Sequence, residues 1–263
     1  MLTAGQKMMN KIKKYLEFGR ELLSSLLFPK RCPVCDEILE PEETKKGIHS
    51  ACESKLYPIL GAVCMHCGRP IGDENHESSK EYCYDCIRNG YHVKSFITQA
   101  KSLYVYKGAI KKSMYRLKYS NKREYGDYFA KRAVEKYAWW IKQAGIDVIV
   151  PVPMYKRKQR RRGYNQAEVF ASKIAGYAGI KMDANLVCRI RDTAPQKQLT
   201  STQRRNNLKN AFQKRKNVVQ CGCAMVVDDI YTTGSTAEAV AQQLIKQGIH
   251  RVYLMTICIG GDV

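Results

Sequence analysis

The chain has 263 residues, with 45 Lys and Arg against 24 Asp and Glu, a formal net charge of +21. That length suffices for one sizeable core and a small satellite domain. No apolar run reaches the length of a bilayer span, and Lys7, Lys11, Lys13 and Lys14 interrupt the first turns where a secretory leader would be apolar. The sequence therefore predicts neither a membrane-spanning protein nor an exported disulfide scaffold, and points to the cytoplasm.

Residues 1–30 read as a basic amphipathic helix, with Ile12, Leu16, Leu22, Leu23, Leu26 and Leu27 apolar among lysines. Such a stripe packs on its own protein or a partner, and it also suits peripheral contact with the inner face of a membrane. Potential metal ligands follow in pairs: Cys32 and Cys35, His49 and Cys52, Cys64 and Cys67, Cys83 and Cys86. Two-residue spacers let both side chains of a pair reach one tetrahedral ion, and two pairs close a structural zinc site. The simplest assignment puts Cys32, Cys35, His49 and Cys52 on one zinc and Cys64, Cys67, Cys83 and Cys86 on another, in a module over 31–92. A crossed arrangement, or one zinc with spare ligands, stays open. His66 and His76 are expected at the surface, and Cys188, Cys221, Cys223 and Cys258 as packed or surface thiols.

From residue 93 onward strands and helices alternate. Leu103 to Tyr106 fits a strand and Met114 to Lys118 the helix after it. Residues 146–153 read as a short buried strand ending at prolines, which cannot continue a central ladder. Residues 156–163 form an intensely basic loop. Tyr164, Asn165 and Gln166 then open a helix running to Tyr177, with Val169, Phe170 and Ile174 as its apolar stripe. Residues 224–227 suit a buried parallel strand and 237–245 a helix. The alternation predicts an α/β domain with a parallel sheet over 93–263, its ligands at the carboxyl ends of the strands.

The most informative string joins the last of those elements: Asp228 and Asp229, then Thr232, Thr233, Gly234, Ser235 and Thr236. A turn between a strand and a helix exposes backbone N–H groups without intrahelical partners, and the helix dipole adds positive character, so a phosphate is stabilised there. Gly234 allows close backbone approach and the hydroxyls donate hydrogen bonds. The two carboxylates suit vicinal ribose hydroxyls.

Charge is concentrated over 154–216, with 17 Lys and Arg against 3 Asp and Glu. A field of that size attracts polyanions, and Tyr155 and Tyr164 beside the basic loop are positioned in sequence to stack on bases. A solvated basic face without a partner is the alternative.

The string 226–236 closely resembles the phosphoribosyl pyrophosphate (PRPP) motif of type I phosphoribosyltransferases. Val150, Pro151, Val152 and Pro153, the run 162–168 (Arg-Gly-Tyr-Asn-Gln-Ala-Glu), Pro195, Gln196 and Leu199, the run 204–208 (Arg-Arg-Asn-Asn-Leu) and the aspartate string resemble the ComF family in that order, over about residues 95–260. That family is similar to phosphoribosyltransferases, carries an upstream zinc module and is associated with natural competence. The resemblance implies a phosphoribosyltransferase-like fold behind a double zinc ribbon. It implies Asp228 and Asp229 as the catalytic carboxylates, residues 232–236 on the 5′-phosphate, and Mg²⁺ between pyrophosphate and ribose oxygens. Arg157, Arg160 and Arg162 would meet the pyrophosphate, Lys118 belongs to the family pattern as a binding residue, and the segment from Arg191 to Arg205 would close over the site. Single-stranded DNA and proteins of the DNA-uptake machinery are the implied partners. An active transferase with an unknown acceptor, and a non-catalytic DNA-binding adaptor, both stay open.

Overall fold

The structure, a computed structural model, describes residues 8, 9, 12, 15, 28–71, 81–91, 93–193, 208, 210–215 and 221–260. The helix expected over 1–30 lies almost wholly outside the described residues, as does His76. The chain forms two compact units, Met1–Ser54 and Lys55–Val263.

The smaller unit is a cysteine knuckle with little core of its own. An antiparallel bridge between Arg31 and Ile38 folds the chain back. Asp36 takes a left-handed conformation (φ 75°) at the tip, and Cys32, Val34, Leu39, Ile48 and Cys52 fill the interior. Short helical turns at Pro41–Thr44 and Ser50–Glu53 follow.

The larger unit is built on strands β1 (Gln99–Val105), β2 (Val148–Pro151), β3 (Lys181–Met182), β6 (Cys223–Tyr231) and β7 (Arg251–Ile259), ordered β1-β7-β6-β2-β3. Every adjacent pair is parallel. Helices α1 (Ile110–Tyr119) and α2 (Tyr125–Ala144) connect β1 to β2. Then come α3 (Lys156–Arg162), α4 (Gln166–Ala178) and, between β6 and β7, α5 (Ser235–Ile245). Strands β4 (Val187–Arg189) and β5 (Phe212–Lys214) form a separate antiparallel pair. Val226, Val227, Leu254 and Met255 at the sheet centre are fully buried. Covering both faces is what makes such strands read as continuous apolar runs.

Two local outcomes differ from the sequence expectation. Residues 156–162 form a helix, because Lys, Arg and Gln are good helix formers and Gly163 ends the turn in the left-handed region (φ 86°). β6 also does not stop at Val227. It runs through both aspartates to Tyr231, since β7 extends equally far and pairs Asp228 with Thr256 and Tyr231 with Ile259.

The second cysteine segment shares its compact unit with the sheet. Ile59 donates to the Leu103 carbonyl at 3.0 Å, Val105 to Tyr57 at 2.9 Å and Ala100 to His66 at 2.6 Å. Residues 57–66 thereby occupy the otherwise open edge at β1.

Candidate functional site

The phosphate-type turn sits at the junction of β6 and α5. Gly234 caps the helix at φ 74°, a conformation that penalises any side chain. A Cβ there would also lie 2.6 Å from the Tyr231 hydroxyl. Thr233 and Ser235 are joined through their hydroxyls at 2.9 Å, and Ser235 is buried. A small pocket is lined by Asp228, Thr232, Gly234, Ser235, Thr236 and Thr256. One carboxylate and the hydroxyl turn therefore share one concavity.

Because both aspartates lie within a strand, their side chains leave opposite faces of the sheet. Asp228 lines the pocket, half-buried. Burial and the neighbouring Asp229 charge push its carboxyl up to about 7. Asp229 is buried and points at two helices: Lys118 Nζ of α1 lies 2.9 Å from its Oδ2, and Gln166 Nε2 of α4 donates to the same oxygen at 2.9 Å. Burial alone would lower the Lys118 ammonium, yet the Asp229 carboxylate more than offsets it and the pKa is raised. Arg162 donates to Gln166 Oε1 at 2.5 Å. Arg162, Gln166, Asp229 and Lys118 thus form one continuous polar chain beneath the carboxyl end of β6.

Arg157 and Arg160 are instead exposed on α3 with Lys156 and Arg161. The segment from Arg191 to Arg205 lies mostly outside the described residues. Tyr164 is no stacking platform: it is buried, its hydroxyl donates to the Leu117 carbonyl, and Arg123 covers its ring at 4.5 Å. The aromatic residue of this turn supports the helix that carries Lys118.

Two site residues escaped the sequence reading. Gln166 was visible only as one letter of a motif. Arg189, on β4, donates to the Thr193 hydroxyl, lies over the Phe212 ring at 5.3 Å, and is close enough to Asp228 for their charges to interact. Burial lowers its pKa, a cost that Asp228 and Asp192 partly offset. Its only sequence signal was membership in a cation-rich stretch.

The metal-ligand candidates gather as the simplest assignment expected. Cys32, Cys35, His49 and Cys52 form one group and Cys64, Cys67, Cys83 and Cys86 the other, with the ligand atoms of each group within 4.8 Å of one another. Tetrahedral zinc with Zn–S near 2.3 Å requires sulfurs about 3.8 Å apart, and Cys67 and Cys83 stand at 3.6 Å. In the first group His49 Nδ1 lies 3.2 Å from Cys35 Sγ while Nε2 lies 3.1 Å from the Ile38 carbonyl. That outer partner orients an imidazole ligand. Both donor sets fit structural zinc. Among the described residues, Cys188, Cys221, Cys223 and Cys258 join no such group.

His66 is not at the surface. It is buried, stacked on Tyr91, with Nδ1 3.4 Å from Cys86 Sγ and Nε2 2.9 Å from Ser95 Oγ. Lying inside a knuckle, between Cys64 and Cys67, it is carried into the interior by its neighbours.

Residues 23–87 match the family model described as a double zinc ribbon domain. The chain is 29% identical over 215 residues to the DNA utilization protein YhgH of Salmonella typhi, covering 81% of this chain and 90% of that protein. It is 28% identical to competence protein F of Haemophilus influenzae, covering 79% and 88%, and 26% identical to competence protein ComFC of Bacillus subtilis, covering 80% and 82%. Among solved structures, a purine phosphoribosyltransferase from Pyrococcus horikoshii aligns with 51% of this chain and 84% of its own at 14% identity and a TM-score of 0.31, a likeness too loose to carry an argument. No helix among the described residues is long and apolar enough to cross a membrane. Over about four-fifths of its length the chain is thus similar to relatives named for competence and for DNA utilization, with a double zinc ribbon match at its amino-terminal end that precedes the parallel α/β sheet in sequence.

Proposed function

We propose that the protein binds PRPP with Mg²⁺ at the carboxyl end of β6 and single-stranded DNA on its basic face, and that it acts in DNA uptake and transformation. The observation that carries the first part is the pocket in which Asp228 meets Thr232, Gly234, Ser235 and Thr236 at the start of α5. In this reading the turn holds the 5′-phosphate through backbone N–H groups and hydroxyls. Asp228 accepts from the ribose hydroxyls, while Asp229, held by Lys118 and Gln166 on the opposite face, fixes the strand that presents it. These hard oxygen donors suit Mg²⁺, which when bound would neutralise pyrophosphate charge. Arg162, with Arg157 and Arg160 further along α3, supplies cations toward the same end.

Phosphoribosyl transfer needs no covalent catalyst: positioning and stabilisation of developing charge suffice. The same cradle therefore serves ligand sensing or transfer to a nitrogen acceptor. The cations exposed on α3 support the DNA part of the reading, and relatives named for competence and DNA utilization support the process. Thiolate ligands stay reduced in the cytoplasm, the compartment this reading implies.

Calorimetric titration of PRPP with Mg²⁺ into the purified protein tests the site, with Asp228→Asn, which removes the pocket carboxylate and leaves the Lys118–Asp229 pair intact, as control. Saturable binding that the variant loses supports the reading. A well-folded wild type that takes up no PRPP overturns it.

A further inference from the structure

We infer that the second cysteine quartet fixes the phosphate-type turn in place, with Glu238 as the positioning residue between them. Three sets of contacts meet at the turn. Glu238 lies in the first turn of α5, partly buried. Ser95 donates its hydroxyl to Glu238 Oε1, and the Phe96 N–H donates to Oε2 at 3.0 Å, so both carboxylate oxygens are held by the segment that follows the quartet. Ser95 Oγ in turn lies 2.9 Å from His66 Nε2, whose other ring nitrogen lies 3.4 Å from Cys86 Sγ. An unbroken polar path thus runs from a metal-ligand sulfur to the helix that opens at Ser235.

The second set is packing. Cys67, Cys86, Arg69 and Tyr91 line one concavity with Tyr231, Thr232 and Thr233, so the quartet forms a wall against the near end of the hydroxyl turn. The third is Arg69, between the quartet and the carboxyl end of the sheet: it pairs with Asp85 at 3.2 Å and donates to the Gly260 carbonyl, also at 3.2 Å. A free strand-to-helix turn would need none of this. Outer contacts of this kind normally orient metal ligands; here they also run the other way, and the filled quartet orients the turn. The inference rests on the PRPP reading only for what the turn holds.

Hydrogen exchange of the zinc-loaded protein tests the coupling independently of any ligand. The reporters are the α5 amides, beginning with the Glu238 N–H that donates to the Gly234 carbonyl at 2.9 Å. Glu238→Ala is expected to speed exchange in the first turn of α5 by roughly tenfold or more, with zinc stoichiometry unchanged and strand β7 still protected. Glu238→Gln, which keeps the shape and one acceptor, should lie between, and Gln242→Ala one turn on should do nothing. Cys86→Ser should reproduce the effect, and Cys35→Ser, in the other quartet, should not. Should Cys86→Ser fail to fold, the two Glu238 variants still decide. Unchanged exchange in Glu238→Ala would overturn the inference. PRPP titration of the same variants separates the two ideas: a wild type that ignores PRPP while Glu238→Ala still loosens α5 sinks the ligand reading and leaves the coupling standing.

Discussion

Lys118 Nζ and Asp229 Oδ2 stand 2.9 Å apart where α1 reaches the carboxyl end of β6. The second aspartate of the pair is thus anchored from the face opposite the pocket, and Gln166 shares the same oxygen. A buried carboxylate left without its cation is costly. Lys118→Met is therefore expected to destabilise the fold by about 3 kcal/mol, in the range for breaking one side of a buried pair. Lys118→Met combined with Asp229→Asn should recover part of that loss, because no buried charge is then left alone. Urea unfolding of the two variants reads both effects. Equal stability of Lys118→Met and wild type would mean that the pair contributes nothing.

Asp228 gives a prediction with a definite sign. Its carboxyl, pushed up to about 7 by burial and by Asp229, keeps its proton in the folded protein at pH values where the unfolded chain has released it. Stability attributable to this group therefore falls as pH rises from about 4 to 7. Asp228→Asn removes the penalty, so the variant should melt higher than wild type at pH 8, on the order of 5 °C for a unit of this size. The gap should close toward pH 4. The same variant should lose PRPP binding, a gain in stability at the expense of function. A constant difference across pH would refute the assignment.

Much of this architecture is legible in the sequence because it is local. The apolar run before Asp228, the glycine and hydroxyls after it and the helix-forming residues beyond are all decided within twenty residues, and they fold as read. The knuckle spacing of the cysteines is local too. What was not legible depends on distant partners. β6 runs past Val227 only because β7 is as long, and that length difference turns two adjacent aspartates into groups on opposite faces. Tyr164 looked like a surface aromatic until Leu117 supplied its acceptor, and His66 until Ser95 and Tyr91 enclosed it. Arg189 had no signal of its own, since nothing in its neighbourhood says that a two-stranded hairpin will carry it toward Asp228.

Gly234 is a position where one methyl group should matter. Its backbone lies at φ 74°, and an added Cβ would sit 2.6 Å from the hydroxyl of the buried Tyr231. Gly234→Ala should cost about 1–2 kcal/mol for the left-handed conformation, before any displacement of Tyr231. A melting curve measures that loss, and PRPP affinity should fall further than stability does, since the turn itself is displaced. Gly179, also left-handed but with open space around it, serves as the control: Gly179→Ala should show the conformational cost alone.

The two cysteine groups predict two zinc ions per chain. Elemental analysis of the protein purified without added metal should give about two equivalents, and Cys35→Ser or Cys64→Ser should each remove one. Structural zinc contributes folding free energy directly. Chelation should therefore lower the melting temperature, and Cys64→Ser should unsettle the sheet-bearing unit, whose own residues 57–66 line the β1 edge. A single equivalent in the wild type would mean that one group is a thiol cluster.

The exposed cations of α3 make the DNA reading quantitative. Each phosphate contact to a single strand releases counterions, and log K falls with log salt by about 0.7 per contact. Replacing Arg157, Arg160 and Arg161 together by Gln should flatten that slope by about 2 if all three face the backbone. It should leave the melting temperature nearly unchanged, because Arg157, Arg160 and Arg161 are exposed. Fluorescence anisotropy with a labelled oligonucleotide at several salt concentrations provides the slopes. A parallel loss of affinity at every salt concentration would assign these arginines to shape or stacking contacts, and an unchanged line would move the DNA path to a different face of the molecule.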